Sequence, residues 1–335
     1  MNEILRTVEL RKWFPVQKGF LERMLTRERQ FVKAVDGVSL SVRKGETLAL
    51  VGESGCGKTT FGKLVLRLID PTSGKIFFDG QDITSIKGEP LRRLRRKMQI
   101  IYQDPYASFS PRMKVGDIVR HPLEVHEIAQ GREAEQMVLD TLEKVGLSPA
   151  ESFYNLYPRN LSGGQRQRVA VARAIILRPE LIVADEPVSM IDVSLRASIL
   201  DLMLSLKREL NLTYIFITHD LAVAKYIADR IAVMYLGKLV ELAPTERLFE
   251  HPFHPYTHAL LSSIPVPNPF RKRKRIILKG EVPNPINPPP GCRFHTRCPY
   301  ASERCKKEEP QLRELLEEHY VACFNAERFL EEKLT

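Results

Sequence analysis

TLALVGESGCGKTT, Thr47 to Thr60, reads as a short apolar strand that runs straight into a glycine-rich turn and then a helix. The turn is Gly52-Glu53-Ser54-Gly55-Cys56-Gly57-Lys58-Thr59, with the spacing G-x-x-x-x-G-K-T, and Thr60 follows it. Glycines at these positions let successive backbone N–H groups converge on a phosphate, and the helix start adds partial positive charge. Lys58 offers a point charge to β- and γ-phosphates, and the Thr59 hydroxyl offers a ligand to Mg2+. A strand before the turn and a helix after it, expected over Phe61–Leu68, are the context this spacing requires. That context separates it from a chance glycine-rich turn. Cys56 fills a variable position in the turn and reads as structural.

Two further apolar runs stand out, LIVAD (Leu181–Asp185) and TYIFIT (Thr213–Thr218). Their apolarity is continuous and does not alternate, as in strands of a parallel sheet buried on both faces. With helical patterns between them, the first 250 or so residues read as an α/β domain. A polar, helix-rich stretch from about Pro105 to Tyr157 reads as an inserted helical subdomain.

The strand ends carry the chemistry. LIVAD closes in Asp185-Glu186; Asp185 would hold Mg2+ through water and Glu186 would polarise the attacking water. A DE pair alone could equally be the acidic first turn of a helix; the Lys58 turn favours the first reading. TYIFIT delivers His219, followed by Asp220. A lone histidine is usually structural, but this one falls beside the same crevice, where a γ-phosphate could meet it. The strand-like MQIIYQDP (Met98–Pro105) places Gln103 at the entry to the insertion. Glutamine is neutral and can contact both a metal and a water.

Leu161-Ser162-Gly163-Gly164-Gln165 precedes a helix expected over Arg166–Leu177, RQRVAVARAIIL. Ser162 is a good N-cap, and the two glycines open the backbone to a ligand. This is a second anion-binding helix start, and one ATP does not need two complete cradles. LSGGQ followed by RQRVAVARA, shortly before LIVAD, resembles the ABC ATPases.

That resemblance implies a P-loop NTPase with an α/β parallel-sheet core, binding ATP and Mg2+. It also implies a head-to-tail pair in which each ATP lies between one subunit's P-loop and its partner's LSGGQ. Matched residue by residue, Gly52, Ser54, Gly55, Cys56, Gly57, Lys58, Thr59 and Thr60 form the phosphate loop. Gln103 is the Q-loop glutamine, which would also approach Mg2+. Ser162, Gly163, Gly164 and Gln165 form the signature loop, Asp185 and Glu186 close the Walker B strand, and His219 is the switch histidine. Asp192 matches the D-loop aspartate; the loop reads Ser189-Met190-Ile191-Asp192 where SALD is commoner. Trp13 matches the aromatic that stacks on adenine, with Phe14 as the alternative and an ordinary core aromatic as a third possibility.

The segment from Trp13 to Val38, the run HPFHPYTHALLSSIP (His251–Pro265) and GCRFHTRCP (Gly291–Pro299) are similar to the dipeptide/oligopeptide permease ATPases, specifically their F-type subunit. Implied partners are a second, homologous ATPase (or a second copy), two transmembrane permease subunits and an extracytoplasmic solute-binding protein. Implied location is peripheral, on the cytoplasmic face of the inner membrane. Peptides are the default solute, with sugars and nickel as exceptions. A soluble ABC ATPase acting on ribosomes or nucleic acid is the alternative class. Such chains usually carry both ATPase halves or a long coiled coil, and this sequence has one of each motif and no heptad run.

Composition fits these readings without selecting among them. Hydrophobic residues make up 43% and charged residues 27%, as in an ordinary globular protein. No apolar run approaches the roughly 18–20 residues of a membrane-spanning helix. The charged start MNEILRTVELRKWF lacks the apolar core of a secretory signal, so a cytosolic chain is expected. The net charge of +10 could suit nucleic acid or an anionic membrane face, but the basic residues are dispersed. The densest run, Arg271–Arg275, sits between Pro269 and Pro283 and reads as solvated linker; no nucleic-acid partner is expected.

Beyond residue 250 the composition changes, and residues 251–335 read as a C-terminal extension of the 1–250 ATPase domain, whose helical subdomain is placed at about 105–178. Prolines 265, 267, 269, 283, 285, 288, 289 and 290 crowd one stretch, which suits an arm without hydrogen-bond ladders. A short charged terminal helix is expected at the end. Cys292, Cys298, Cys305 and Cys323 follow the spacing C-x5-C-x6-C-x17-C. That spacing matches neither close zinc pairs nor ferredoxin runs, so zinc, an iron–sulfur cluster or unmetallated thiols all remain open. The permease resemblance implies a 4Fe–4S cluster on all four. The extension is expected to lie outside the α/β crevice and to take no part in phosphoryl transfer.

Overall fold

The structure, a computed structural model, describes residues 3–16, 30–264, 276–278 and 280–331. Its strands, in chain order, are β1 (Glu3–Pro15), β2 (Phe31–Arg43), β3 (Thr47–Val51), β4 (Ser73–Phe78), β5 (Gln81–Asp82) and β6 (Met98–Ile101). They continue with β7 (Leu181–Asp185), β8 (Thr213–Thr218), β9 (Arg230–Tyr235), β10 (Lys238–Pro244), β11 (Arg313–Leu316) and β12 (His319–Val321). The chain divides into two compact units.

One unit is drawn mainly from Arg43–Thr47 and Ser85–Ile217. Here β6, β7 and β8 run parallel, with Ile101 beside Ala184 and Asp185 beside Ile217. Every residue of β7 and β8 is buried, as their unbroken apolarity requires. This unit carries the helices Pro105–Ser108, Val115–Val125, Gly131–Lys144, Ala150–Tyr154 and Gly163–Ile175. Helix Gly131–Lys144 buries Ala134, Val138 and Leu142, a stripe at four-residue spacing. The β6 strand stops at Ile101, short of the expected Pro105. The Asp104 carboxylate accepts from the Tyr106 and Ala107 N–H groups at 2.8 and 3.1 Å and starts a one-turn helix there.

The other unit is drawn from Leu5–Val42, Leu48–Thr84 and the residues from Thr218 onward. It carries the four-stranded sheet β2-β1-β4-β5. It also carries β3 parallel to β9, followed by antiparallel β9–β10, β10–β12 and β12–β11 pairs. One core cluster joins Ala49 and Val51 of β3, Ile231, Val233 and Tyr235 of β9, and Tyr256 and Phe294 from beyond residue 250. The helix behind the glycine turn spans Lys58–Val65, three residues ahead of expectation at each end. It ends early because Leu66 caps it and Arg67 turns into the left-handed region at φ 54°.

Glu241 in β10, fully buried, organises the C-terminal residues. Its carboxylate accepts from the N–H groups of Phe253 and His254 at 2.6 and 3.1 Å and lies 2.8 Å from His319 Nε2. Residues 276–278 and 280–290 have no regular hydrogen-bonded structure, as the prolines suggest, and Pro285 meets the sheet by accepting from Lys33 N–H at 3.1 Å. The terminal helix is Ala326–Glu331. The basic run Arg271–Arg275, Pro265, Pro267, Pro269 and residues 17–29 of the segment after Trp13 lie outside the described residues. No helix among the described residues is long and apolar enough to cross a membrane.

Candidate functional site

The glycine turn is held by close backbone approach. A Cβ on Gly57, at φ 108°, would lie 2.0 Å from the Ala34 carbonyl oxygen, and one on Gly52 would lie 2.2 Å from that of Met234. No side chain fits either position. Lys58 is buried, and its ammonium donates to the carbonyls of Gly52 and Glu53 at 2.7 and 3.0 Å. Cys56 is buried beside it, and burial pushes its thiol above the ordinary range, which agrees with a structural residue. The backbone around Cys56 is also tied down: its carbonyl accepts from Gly237 N–H at 2.8 Å in the β9–β10 turn. Leu236 and Gly237 both have positive φ, 45° and 78°, as a two-residue type I′ hairpin turn demands.

Trp13 is half-buried in β1. Its indole N–H donates to Asp36 Oδ1 at 3.0 Å, Lys33 Nζ lies 5.1 Å over the ring, and Phe31 packs at 6.3 Å. Phe14 is more exposed, with Lys12 Nζ 5.2 Å from its ring. Burial works against the Asp36 carboxylate, but the Arg293 and Lys238 charges outweigh it and hold its pKa below the usual range. His219 follows β8 and is exposed; Asp220 after it caps the helix Leu221–Ile227 through the Ala222 and Val223 N–H groups.

In the other unit, Asp185 is buried at the end of β7. Glu186 takes the left-handed region at φ 48°, uncommon for a residue with a side chain. It is fixed by its N–H to the Ile217 carbonyl at 2.9 Å and by Ser189, which donates to its carbonyl. Gln103 Nε2 donates to its carboxylate at 3.1 Å. The signature helix begins at Gly163, three residues earlier than expected, because Ser162 and Gln165 form a reciprocal capping box. Ser162 Oγ accepts from Gln165 N–H at 3.3 Å and Gln165 Oε1 from Ser162 N–H at 2.9 Å. The first N–H groups of the helix, on Gly163 and Gly164, are left without an intrahelical partner. Asp192 sits at the start of helix Val193–Leu210 and does not cap it. Around it Met190, Val193 and Leu195 are exposed at 64%, 76% and 41%.

Residues from beyond 250 reach the glycine turn, which sequence reasoning missed. Arg297 grips the Glu53 carboxylate with two bonds of 2.8 and 3.3 Å, and Glu53 N–H donates to Tyr256 Oη at 2.8 Å. Ion pairs at such separations leave no local pattern to read. The four C-terminal cysteines are free thiols. Burial raises Cys292 to about 11 and Cys323 to about 12, and Cys323 feels the charge of the other three. Among the described residues no three His, Cys, Asp or Glu side chains are grouped to hold a metal ion, so the arrangement supports neither the zinc nor the cluster reading. In donor type and number alone, four thiols are the ligand set of a 4Fe–4S cluster.

A glycine turn ahead of a buried lysine and a second, separately capped glycine helix on one chain are the pattern of an ATP-binding cassette. The ABC transporter family model matches residues 35–189, and the model for the oligopeptide/dipeptide transporter C-terminal region matches 240–305. The oligopeptide transport ATP-binding protein AppF of Bacillus subtilis is 50% identical over 96% of both chains. The dipeptide transport ATP-binding protein DppF of Haemophilus influenzae is 47% identical, again over 96% of both. A dimeric ATP-binding cassette solved in a post-hydrolysis state bound to ADP and Pi aligns with TM-score 0.60 and 27% identity, over 72% of this chain and 98% of that one. The cbiO1 protein from Clostridium perfringens, 24% identical with TM-score 0.62 over 75% of this chain and 92% of that one, shares the fold. The chain belongs to the ATP-binding subunits of ABC transporters, in the oligopeptide/dipeptide family, and is an ATPase.

Proposed function

We propose that this chain is one of the paired motor subunits of a peptide importer, working from the cytoplasmic face of the inner membrane. The carrying observation is the oligopeptide/dipeptide C-terminal region at 240–305, folded into the unit that holds the P-loop and accompanied by relatives named as peptide transport ATP-binding proteins. Two permease subunits and an extracytoplasmic solute-binding protein are the partners this reading requires.

In this reading Lys58 exchanges the Gly52 and Glu53 carbonyls for phosphate oxygens, while N–H groups of the turn (Ser54, Gly55, Cys56, Gly57, Thr60) line the phosphates. Thr59 and Asp185 are assigned to Mg2+, with Gln103 beside it. Glu186 orients the attacking water, Gln103 holds Glu186 in place, and His219 meets the γ-phosphate. Trp13 stacks on adenine. The open N–H groups at Gly163 and Gly164 serve the ATP of the facing subunit. Supporting a protein partner there, the apolar Met190, Val193 and Leu195, which flank Asp192 in sequence, are exposed. Deleting the gene should abolish uptake of a labelled di- or tripeptide, with rescue by wild type and not by Glu186→Gln. Intact peptide uptake with lost sugar or nickel uptake would reassign the solute, and a translation defect alone would move the protein to the soluble class.

The reading extends to the cysteines. Cys292, Cys298, Cys305 and Cys323 are proposed to hold a 4Fe–4S cluster, whose iron would supply the charge that lets these buried thiols lose their protons. Protein purified without oxygen should then be brown with about four irons per chain, and Cys298→Ser should bleach it. Colourless protein refutes the cluster.

A further inference from the structure

We propose that the loop Cys292–Cys298 is a strut that sets the shape of the nucleotide cradle, with Arg297 and Arg293 as positioning residues. The proposal rests on the reading that the P-loop and Trp13 bind nucleotide. Arg297 acts on the phosphate side. Its fork pairs with both oxygens of Glu53, and its side chain is 9% exposed. Tyr256, fully buried, takes the Glu53 N–H. Glu53 is thus held at side chain and backbone by residues beyond 250, while its own carbonyl accepts from Lys58. A shift of Glu53 therefore moves an acceptor of the Lys58 ammonium.

Arg293 acts on the aromatic side. It is 8% exposed and donates to Asp36 Oδ2 and to the Leu236 carbonyl. The other oxygen of Asp36 holds the Trp13 indole. Trp13, Asp36, Cys292 and Arg293 line one cavity of about 630 Å3. On the backbone side, Cys56 O, Gly237 and Asp36 are linked in series by bonds of 2.8 and 2.9 Å. The two arginines therefore close a ring that runs from the phosphate turn through Gly237 and Asp36 and back through the cysteine loop.

The loop is stiff enough for this role. His295 N–H donates to the Cys292 carbonyl and Arg297 N–H to that of Phe294, each at 3.0 Å, and Cys292 N–H donates to the Cys305 carbonyl at 2.8 Å. Phe294 is buried edge-on against Tyr235 at 5.2 Å. Whatever the thiols at its two ends bind is consequently transmitted to both edges of the cradle.

Trp13 is the single tryptophan, so selectively excited tryptophan emission reports on it alone. In the full-length protein, Arg297→Met should weaken binding of a trinitrophenyl ATP analogue about tenfold, the scale of one charge-assisted pair. Glu53→Gln should do the same, and the double variant should add little to either. Arg293→Met should shift Trp13 emission without nucleotide present. A merely structural role would lower the melting temperature and leave the analogue's Kd and the emission unchanged, which overturns the proposal. If Arg297→Met does not fold, Arg297→Lys, which keeps the charge and loses the fork, is scored in the same way. Lys58→Ala separates the two readings: unweakened binding there refutes the nucleotide site itself, whereas lost binding there with an unaltered Arg297→Met refutes only the strut.

Discussion

Gln103 donates from Nε2 to a carboxylate oxygen of Glu186 at 3.1 Å, so the residue at the entry to the helical insertion grips the residue proposed to orient water. A neutral amide can hold a carboxylate without taking its charge. Gln103→Ala should lower kcat by about ten- to a hundredfold with ATP affinity nearly unchanged. Glu186→Gln should keep binding, stop turnover and trap an ATP-bound pair. Size-exclusion chromatography with MgATP, with and without the companion ATPase, checks this; a Glu186→Gln protein that stays monomeric while hydrolysing normally removes the paired mechanism.

Ser162→Arg should abolish ATPase activity and leave nucleotide binding by a single subunit close to wild type. The arginine blocks the N–H groups at Gly163 and Gly164, which are proposed to serve the facing subunit, and leaves Lys58 untouched. Loss of the capping box should also cost about 1 kcal/mol of stability. Equal loss of binding in the monomer would mean that this helix serves its own site.

His254 gives stability a pH dependence. Burial is the main cause that lowers its pKa to about 4, with Glu241 acting against it and His258 with it. The unfolded chain binds this proton near pH 6.5, so the neutral ring stabilises the fold above that value. Its contribution should fall by about 1 kcal/mol per pH unit as pH drops from 6.5 toward 4. Urea titrations across that range should show the slope, and His254→Asn should flatten it; an unchanged slope in the variant would assign it to another group.

Glu241→Ala should destabilise the second unit by about 3–5 kcal/mol, because it strips three polar partners inside a closed core. The substitution leaves the P-loop residues in place. Chemical denaturation measures the loss, and a change under 1 kcal/mol would show that water replaces the carboxylate.

What could be read from the amino acids follows from the range of each signal. The P-loop is legible because strand, glycines, Lys58 and helix are contiguous. LIVAD and TYIFIT announce buried strands by composition alone, and Ser162 announces a helix start, though the reciprocal bond from Gln165 sets its first residue. The strand expected over Met98–Pro105 ends at Ile101, because the Asp104 carboxylate caps Tyr106 and Ala107, a contact that composition does not announce. The β11–β12 hairpin was not legible: RELL and HYV are short and polar, and their pairing with β10 is non-local. Arg297 and Glu53 stand 244 residues apart, a distance over which neither periodicity nor capping carries information.

The buried pair of Glu241 and His319 has a consequence for biosynthesis. Translation delivers β10 long before the histidine 78 residues further on. Until it arrives, Glu241 lacks one of its three partners and cannot be buried at low cost. The core around Glu241 therefore waits, in each nascent chain, for β12 to leave the ribosome, and a message cut short after β10 yields an open core exposed to chaperones and proteases.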